Sequence, residues 1–463
     1  MPRFTHTSTY PLPREVVFDW HTRPGGFVRL TPPGMATIVS GPTDGINPGS
    51  ELELRISSPI VAGLLPGPGG KPLGVAWRVR HVALIPGVEF VDEQVSGPFL
   101  SWRHEHHFAD GPDGSTVLTD TVTWNLPRAV PTRLVESKLR ALFRFREQQL
   151  RDDLELLHRL DAAPTTVLMA GASGMIGRQL AALFTTAGHR VVRLVRSEPH
   201  GQDELRWDPR SLHVPSRAFD HASVVVNLSG ETIGGRFTEA RKAEILSSRV
   251  DATTTLAEGI ARHAPDATLV QASAVGYYGA RRPGELLDEA STRGTGFLAD
   301  VVEAWERAAA PANRVGARTA FLRTGIVLSA GGGALLPQLP LYLVGAGGRM
   351  TSADKWLSWI TLDDLVRAYV HTAFRPALGG PIPAVAPNPV TQGEFASTLG
   401  SVLHRPAVLP TPSFGPKLLL GSEGYDQLID TDQRVSAAKL IGSEFRFGQT
   451  TLTDGLRHVL QKG

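Results

Sequence analysis

The 463-residue chain contains no cysteine. That removes disulfides, zinc–thiolate sites and thiol nucleophiles from consideration. It also has no stretch approaching the ~20 consecutive apolar residues a membrane helix needs. The opening residues, MPRFTHTSTYPLPREVV, have no apolar core of the kind a secretory signal carries. A formal net charge of +2 gives no excess of one sign to draw the chain to nucleic acid or to a membrane surface. These absences predict a soluble cytoplasmic protein whose partner is a small molecule, with no nucleic acid and no membrane; they leave the oligomeric state open. The length calls for two to three domains.

As far as residue 125 or so, alternating apolar residues between Pro/Gly turns predict strands at Met35–Ser40, Ser50–Ile56, Gly74–Ala83, Val88–Gln94, Phe99–Phe108 and Ser115–Trp124, with an early helix at Arg14–His21. A long helix then opens at Pro131. Its apolar positions Val135, Leu139, Leu142, Leu150, Leu154 and Leu157 recur mostly at three- and four-residue steps. Arg140, Arg144, Arg146 and Arg151 are assigned to its outer face, read as a solvated surface. On the strand around Trp102–His107, His104 and His106 point to one side, and His81 on another strand could lie near them. Three imidazoles suit zinc. With no open site or supporting shell evident, stacked histidines are expected and no metal.

The stretches VVFDWHTRPGGFVRLTPPG, GPFLSWRHEHHF and LTDTVTWNLP resemble the START-like (polyketide-cyclase-like, SRPBCC) domain fused to certain reductases. The resemblance implies an α+β helix-grip fold whose sheet and helix enclose a cavity for a small apolar molecule. Ala162–Thr165 reads as the linker that follows.

Thr166–Ala170 is a short apolar strand, followed at once by Gly171-Ala-Ser173-Gly174-Met175-Ile176-Gly177 and a helix. In this strand–turn–helix context the glycines read as a dinucleotide site. Gly171 permits the tight turn, Gly174 lets backbone approach a pyrophosphate, and Gly177 lets helix and strand pack. The helix N-terminus offers N–H groups and partial positive charge to phosphates. The second strand, Arg190–Val195, ends in Arg196-Ser197. A guanidinium there suits a ribose 2′-phosphate and hence NADP(H), whereas a carboxylate would suit NAD. Glu198, two residues on, is the competing candidate. A third strand leads into Asn227-Leu228-Ser229-Gly230, which resembles the N-L-A-G turn under the adenine ribose. Strands alternating with helices predict a doubly wound parallel sheet.

The runs NLSGETIGGRF, RKAEILSSRVDATTTL, SAVGYYG, Trp305-Glu306, LRTGIVLSAGGGALLP, KWLSWITLDDLV and APNPVTQGEFASTLGSVLHRP together resemble the atypical extended short-chain dehydrogenase/reductase group known as nucleoside-diphosphate-sugar epimerases. The expected organisation is a START-like domain over 1–162, an NAD(P)-binding Rossmann domain over 163–404 and a C-terminal extension over 405–463. The activity implied is an NADP-dependent oxidoreductase or epimerase on a small substrate. The alternative is a non-catalytic sensor of NADP(H) and an apolar ligand.

One further absence bears on that choice. The superfamily's active members use a Ser, a Tyr and a Lys four residues after that Tyr, the lysine drawing the phenol pKa down. No Tyr-x-x-x-Lys exists in this chain. Ser273 stands where the serine belongs. Counting along an extended strand puts Tyr277 on its face, while the family's V-Y-G ending favours Tyr278. Arg281 or Arg282 could replace the missing lysine's charge. Residues Ser329–Trp359, with glycines at 331–333 and at Gly345, Gly347 and Gly348, read as a substrate lid.

Overall fold

The computed structural model describes residues 1–57, 74–127, 131–407 and 409–462. They pack into two compact units. The first comprises Met1–Glu155 together with Ser329–Pro340 and the residues from His458 onward. The second comprises Leu156–Leu328 and Leu341–Arg457.

The first unit is a seven-stranded antiparallel sheet of β1 (Arg3–Tyr10), β2 (Ala36–Ser40), β3 (Glu51–Ile56), β4 (Val75–Ile85), β5 (Glu89–Ser96), β6 (Ser101–Asp110) and β7 (Thr116–Asn125). The order across the sheet is β1-β7-β6-β5-β4-β3-β2. Between β1 and β2 lies α1 (Arg14–Thr22); after β7 runs the long helix α2 (Thr132–Leu160). Strand β1 escaped the apolar-alternation reading because its inward residues include His6 and Ser8 beside Phe4 and Tyr10. Leu139 and Phe143 of α2 pack on Phe4, Trp102, Val122 and Trp124 of the sheet.

Between sheet and helix lies a cavity of about 20 Å³, room for little more than a single water, lined among others by His6, Tyr10, His21, His106, Asp120, Arg146 and Glu147 together with Leu30, Leu118, Phe143 and Leu150. Two expectations are corrected in this unit. Arg146 does not belong to the outer face: it turns inward to line that cavity and donates from Nε to the Leu30 carbonyl at 3.1 Å. The buried carboxylate of Asp120 makes an inward cation favourable at a position the apolar stripe alone could not identify. Finally, residues 329–340 are not a free lid. Gly331 lies so close to Pro33 and Gly34 that a Cβ there would sit 2.9–3.0 Å from their backbone.

In the second unit the order is that of a dinucleotide fold. Strands β8 (Thr166–Ala170), β9 (Arg190–Val195), β10 (Glu204–Arg206), β11 (Ala222–Asn227), β12 (Thr268–Ala274), β13 (Thr319–Thr324) and β14 (Gly380–Ala384) form a seven-stranded sheet ordered β10-β9-β8-β11-β12-β13-β14. Every neighbouring pair is parallel. All five residues of β8 are buried, which explains its unbroken apolar run. Helices α3 (Met175–Thr186) and α6 (Leu362–Phe374) cover one face, with Leu180, Leu183, Leu365 and Val366 in its core; α4 (Glu239–His263) covers the other through Ala252, Leu256 and Ile260. Helix α5 (Phe297–Arg307) follows β12. The extended backbone of Thr319–Leu328 is broken at Gly325, where a Cβ would lie 2.6 Å from the Ser358 carbonyl oxygen. Leu440 and Phe445 from the C-terminal segment enter the same core as α6. Among the described residues no helix is long and apolar enough to cross a membrane.

Candidate functional site

The sheet order reverses between β8 and β11, and the crevice at their carboxyl ends is where such folds take their ligands. The glycine turn lies there. Gly171 has φ +81°, and a Cβ on it would fall 2.7–2.8 Å from the Leu228 carbonyl group. Gly177 is more restricted still: its Cβ would lie 2.1 Å from the Gly171 carbonyl oxygen. Gly174 is the N-cap of α3, and no side chain caps that end. Ser173 is exposed and Met175 and Ile176 are half-buried. The cradle is therefore backbone, held open by positions that admit no side chain and backed by an uncapped helix N-terminus. Those features fit a dinucleotide pyrophosphate.

Across the crevice Asn227 is fully buried and holds its turn by three bonds. Its Nδ2 donates to Thr253 Oγ1 and Gln271 Oε1, both at 3.0 Å, and its Oδ1 accepts the Ser229 N–H at 3.0 Å. The Leu228 N–H donates to the Ala170 carbonyl at 3.0 Å, tying the turn to β8. Gly230 lies against the Arg249 side chain. Arg196 and Ser197 are exposed just beyond β9. The competing carboxylate, Glu198, accepts from Arg206 Nη1 at 2.5 Å.

At the end of β12 the structure departs from expectation. Ser273 is buried, and its Oγ donates to Glu306 Oε1 of α5 at 2.6 Å. Glu306 also takes a two-pronged ion pair from Arg323 of β13, with Nε–Oε1 at 2.9 Å and Nη2–Oε2 at 2.8 Å. Ser273 and Arg323 are direct register partners on adjacent strands. Burial alone would lower the Arg323 pKa, but the Glu306 carboxylate raises it above the usual arginine value. Its guanidinium also lies 3.4 Å from the centre of the Tyr277 ring.

The strand-parity argument for Tyr277 does not apply, because β12 ends at Ala274 and Val275–Tyr278 form a 3₁₀ turn. Tyr278 is completely buried, and its hydroxyl donates to the Asp288 carbonyl at 2.7 Å. Burial pushes its pKa up to about 12, against the pull of Arg323. That is opposite to what a lysine-activated tyrosine requires. Nor do Arg281 and Arg282 supply the missing charge: the first pairs with Asp430 and the second with Glu285. Arg323 is the cation beside both rings. A cleft of about 390 Å³ is lined by Tyr278, Arg281, Arg282, Arg293, Asp426 and Gln427, among others. Its arginines are all spoken for, Arg293 by Asp300, so it is not an open anion site. Glu306 and Arg323 are the two residues the sequence reading passed over. Their signal was an arginine inside an otherwise apolar strand, which is seldom buried without a carboxylate.

A glycine cradle at the switch point of a seven-stranded parallel sheet defines an extended short-chain dehydrogenase/reductase-like protein of the dinucleotide-binding class. Residues 167–381 match the NAD dependent epimerase/dehydratase family, and residues 411–459 match a domain of unknown function, DUF1731. An epimerase family protein of Mycobacterium bovis is 39% identical over 298 residues, which cover 64% of this chain and 98% of that protein. YfhF of Bacillus subtilis, also an epimerase family protein, is 33% identical and is covered to 97%. The crystal structure of a nucleoside-diphosphate sugar epimerase from Corynebacterium glutamicum is 34% identical with a TM-score of 0.80, covering 99% of this chain and 90% of that one. Human epimerase family protein SDR39U1, solved with NADPH, is 28% identical with a TM-score of 0.58 over 64% of this chain and 99% of that one. The chain belongs to the epimerase family.

Proposed function

We propose that the chain is an NADP(H)-dependent oxidoreductase or epimerase acting on a small hydroxyl or carbonyl compound. The observation that carries the cofactor choice is the division of labour after β9. Glu198 is engaged by Arg206, while no carboxylate among the described residues pairs with Arg196. A 2′-phosphate would meet a guanidinium rather than a carboxylate. The NADPH of the human relative supports the same reading. Gly171, Ser173, Gly174, Met175, Ile176 and Gly177 would hold the pyrophosphate, and Asn227, Leu228, Ser229 and Gly230 the adenine-side ribose, with Ser197 beside Arg196.

A nicotinamide bound there would supply hydride-transfer chemistry. The proton is the task of this chain's own residues, and Tyr278 is tied to a backbone carbonyl. Ser273 and Glu306 are better placed. When a substrate hydroxyl is oxidised, its proton passes to Ser273 Oγ as the Ser273 proton passes to Glu306 Oε1. In reduction both moves reverse. Arg323 grips both oxygens of the Glu306 carboxylate and holds it toward Ser273. Tyr277, half-buried under Arg323, orients what binds beside it. The organisation that goes with this reading is a START-like helix-grip domain over 1–162, the Rossmann domain over 163–404 and the extension over 405–463. The seven-stranded sheet with its long following helix supports the first of these.

A second reading, a non-catalytic sensor of NADP(H), is favoured by the locked hydroxyl and raised pKa of Tyr278. The test is cofactor binding and turnover on one set of proteins. Charge-assisted contacts to a 2′-phosphate, each about 1.5–3 kcal/mol, give NADPH a roughly ten- to hundredfold advantage over NADH. Arg196→Asp should abolish or reverse it. Equal dissociation constants in the unmutated chain would overturn the cofactor assignment. Tight NADPH binding with no turnover across a broad carbonyl panel would select the sensor.

A further inference from the structure

The buried histidines of the N-terminal sheet form a more ordered arrangement than stacking requires. Two cross-strand rungs bring them together. On one, His81 of β4 stands opposite Asp92 of β5, which stands opposite His104 of β6. On the next, Phe90 stands opposite His106, which stands opposite Asp120 of β7. All these side chains share one face, and directly opposed residues have Cβ atoms only about 4.5–5.5 Å apart.

Asp120 Oδ1 contacts both imidazoles, His104 Nε2 at 3.0 Å and His106 Nδ1 at 2.7 Å. An ionised carboxylate only accepts, so each of these nitrogens carries its ring's N–H. The opposite nitrogens, His104 Nδ1 and His106 Nε2, then present lone pairs. They face Asp92 Oδ2 at 3.5 and 3.6 Å. When the rings are neutral, two lone pairs aimed at a carboxylate oxygen repel it, so either a proton on the ring or a metal cation must lie between them. Arg146 is a guanidinium that acts on both Asp92 and Asp120.

We propose that Asp92, His104 and His106 bind a divalent transition-metal ion of the zinc type, with Asp120 fixing both imidazoles from behind. The spacing fits. Two donors on a tetrahedral zinc with bonds of ~2.0–2.1 Å lie about 3.3–3.4 Å apart. The three candidate ligand atoms all lie within 4.8 Å of one another. Two imidazoles and a carboxylate leave a fourth position. His81 stands opposite Asp92 on the same rung, with a buried Nδ1 that has no hydrogen-bond partner. Asp120 is the carboxylate behind histidine that metal sites use to set the tautomer and raise ligand basicity. Its position across the sheet is the support that the sequence alone did not display. The rings are held in place by Phe90, stacked on His106 at 4.0 Å, and by Phe143, edge-on to His104 at 5.5 Å.

The site lies wholly within the N-terminal unit and does not depend on the cofactor reading. It is tested on the full-length, tag-free chain, stripped with chelator and then titrated with Zn²⁺ or Co²⁺. The expected result is one tightly held Zn²⁺ per chain by elemental analysis after desalting, and visible d–d bands from Co²⁺ that zinc displaces. Asp120→Asn, which leaves all three ligands in place, should weaken zinc binding by about 10–100-fold. A stripped, folded chain that takes up no stoichiometric zinc and gives no cobalt bands overturns the proposal: protons alone then neutralise the cluster. So does uptake that persists undiminished in a folded Asp92→Asn/His104→Gln variant. If that variant does not fold, the cobalt spectrum of the unmutated chain and the Asp120→Asn affinity still decide.

Discussion

Replacing Arg323 by methionine probes the network at the end of β12 most directly. The methionine fills much of the same space but carries no charge. In the native chain the Arg323 and Glu306 side chains are only 3% and 12% exposed. Removing the guanidinium leaves a buried carboxylate held by one hydrogen bond from Ser273. Breaking a buried ion pair on one side costs about 3–5 kcal/mol. For a unit of this size each kcal/mol moves the melting temperature by about 1.5–2 °C, so a fall of about 5–10 °C is expected. The companion change is Arg323→Met with Glu306→Met. Removing both charges also removes the stranded carboxylate, and most of the lost stability should return. Urea denaturation followed by tryptophan fluorescence would measure both, provided the m-value stays constant across the set. A loss under about 1 kcal/mol in Arg323→Met, or a double variant no better than the single one, would refute the view that these groups form one desolvated pair.

Two other expectations can be checked alongside it. Gly177→Ala places a Cβ 2.1 Å from the Gly171 carbonyl oxygen, so NADPH binding should be lost by isothermal titration, whereas Ser173→Ala, at an exposed position, should bind within a few-fold of the unmutated chain. Asp430 is held down to about 2, burial notwithstanding, by hydrogen bonds from Lys355, Thr351 and Arg281. A carboxylate depressed in the folded state stabilises above its unfolded pKa and loses that contribution as pH falls through the folded value. Asp430→Asn should therefore cost about 2 kcal/mol at pH 7. Its deficit should shrink as pH is lowered from about 4 toward 2; a constant deficit over that range would contradict the assignment.

The dinucleotide turn was legible in the sequence because its determinants are local. A strand, three glycines and a helix fall within Thr166–Thr186, and each glycine answers to a backbone constraint. The antiparallel strands were mostly legible for the same reason, since alternation is a two-residue property. What could not be read was carried by contacts distant along the chain. Ser273, Glu306 and Arg323 come from three elements, and nothing in their spacing announces that the serine's proton is given to a carboxylate. The choice between Tyr277 and Tyr278 failed on a local point, the turn that ends the extended backbone at Ala274. In β1 and at Arg146 the inward-facing groups are polar, so hydrophobic periodicity was silent where a polar cluster forms the interior.

The make-up of the first compact unit has a consequence for how the chain is made. That unit draws on Met1–Glu155, on Ser329–Pro340 and on the residues from His458, whose imidazole stacks on Phe145 at 4.8 Å. During synthesis the sheet and long helix emerge first, but Leu156–Arg457 must be translated before the unit's last strip of chain exists. At ~5–20 residues per second that is roughly 15–60 s on the ribosome. Over that interval the early-formed surface awaits its remaining segments, and a ribosome-associated chaperone has time to occupy it. A chain stopped after the long helix lacks two of the three segments that pack into this unit.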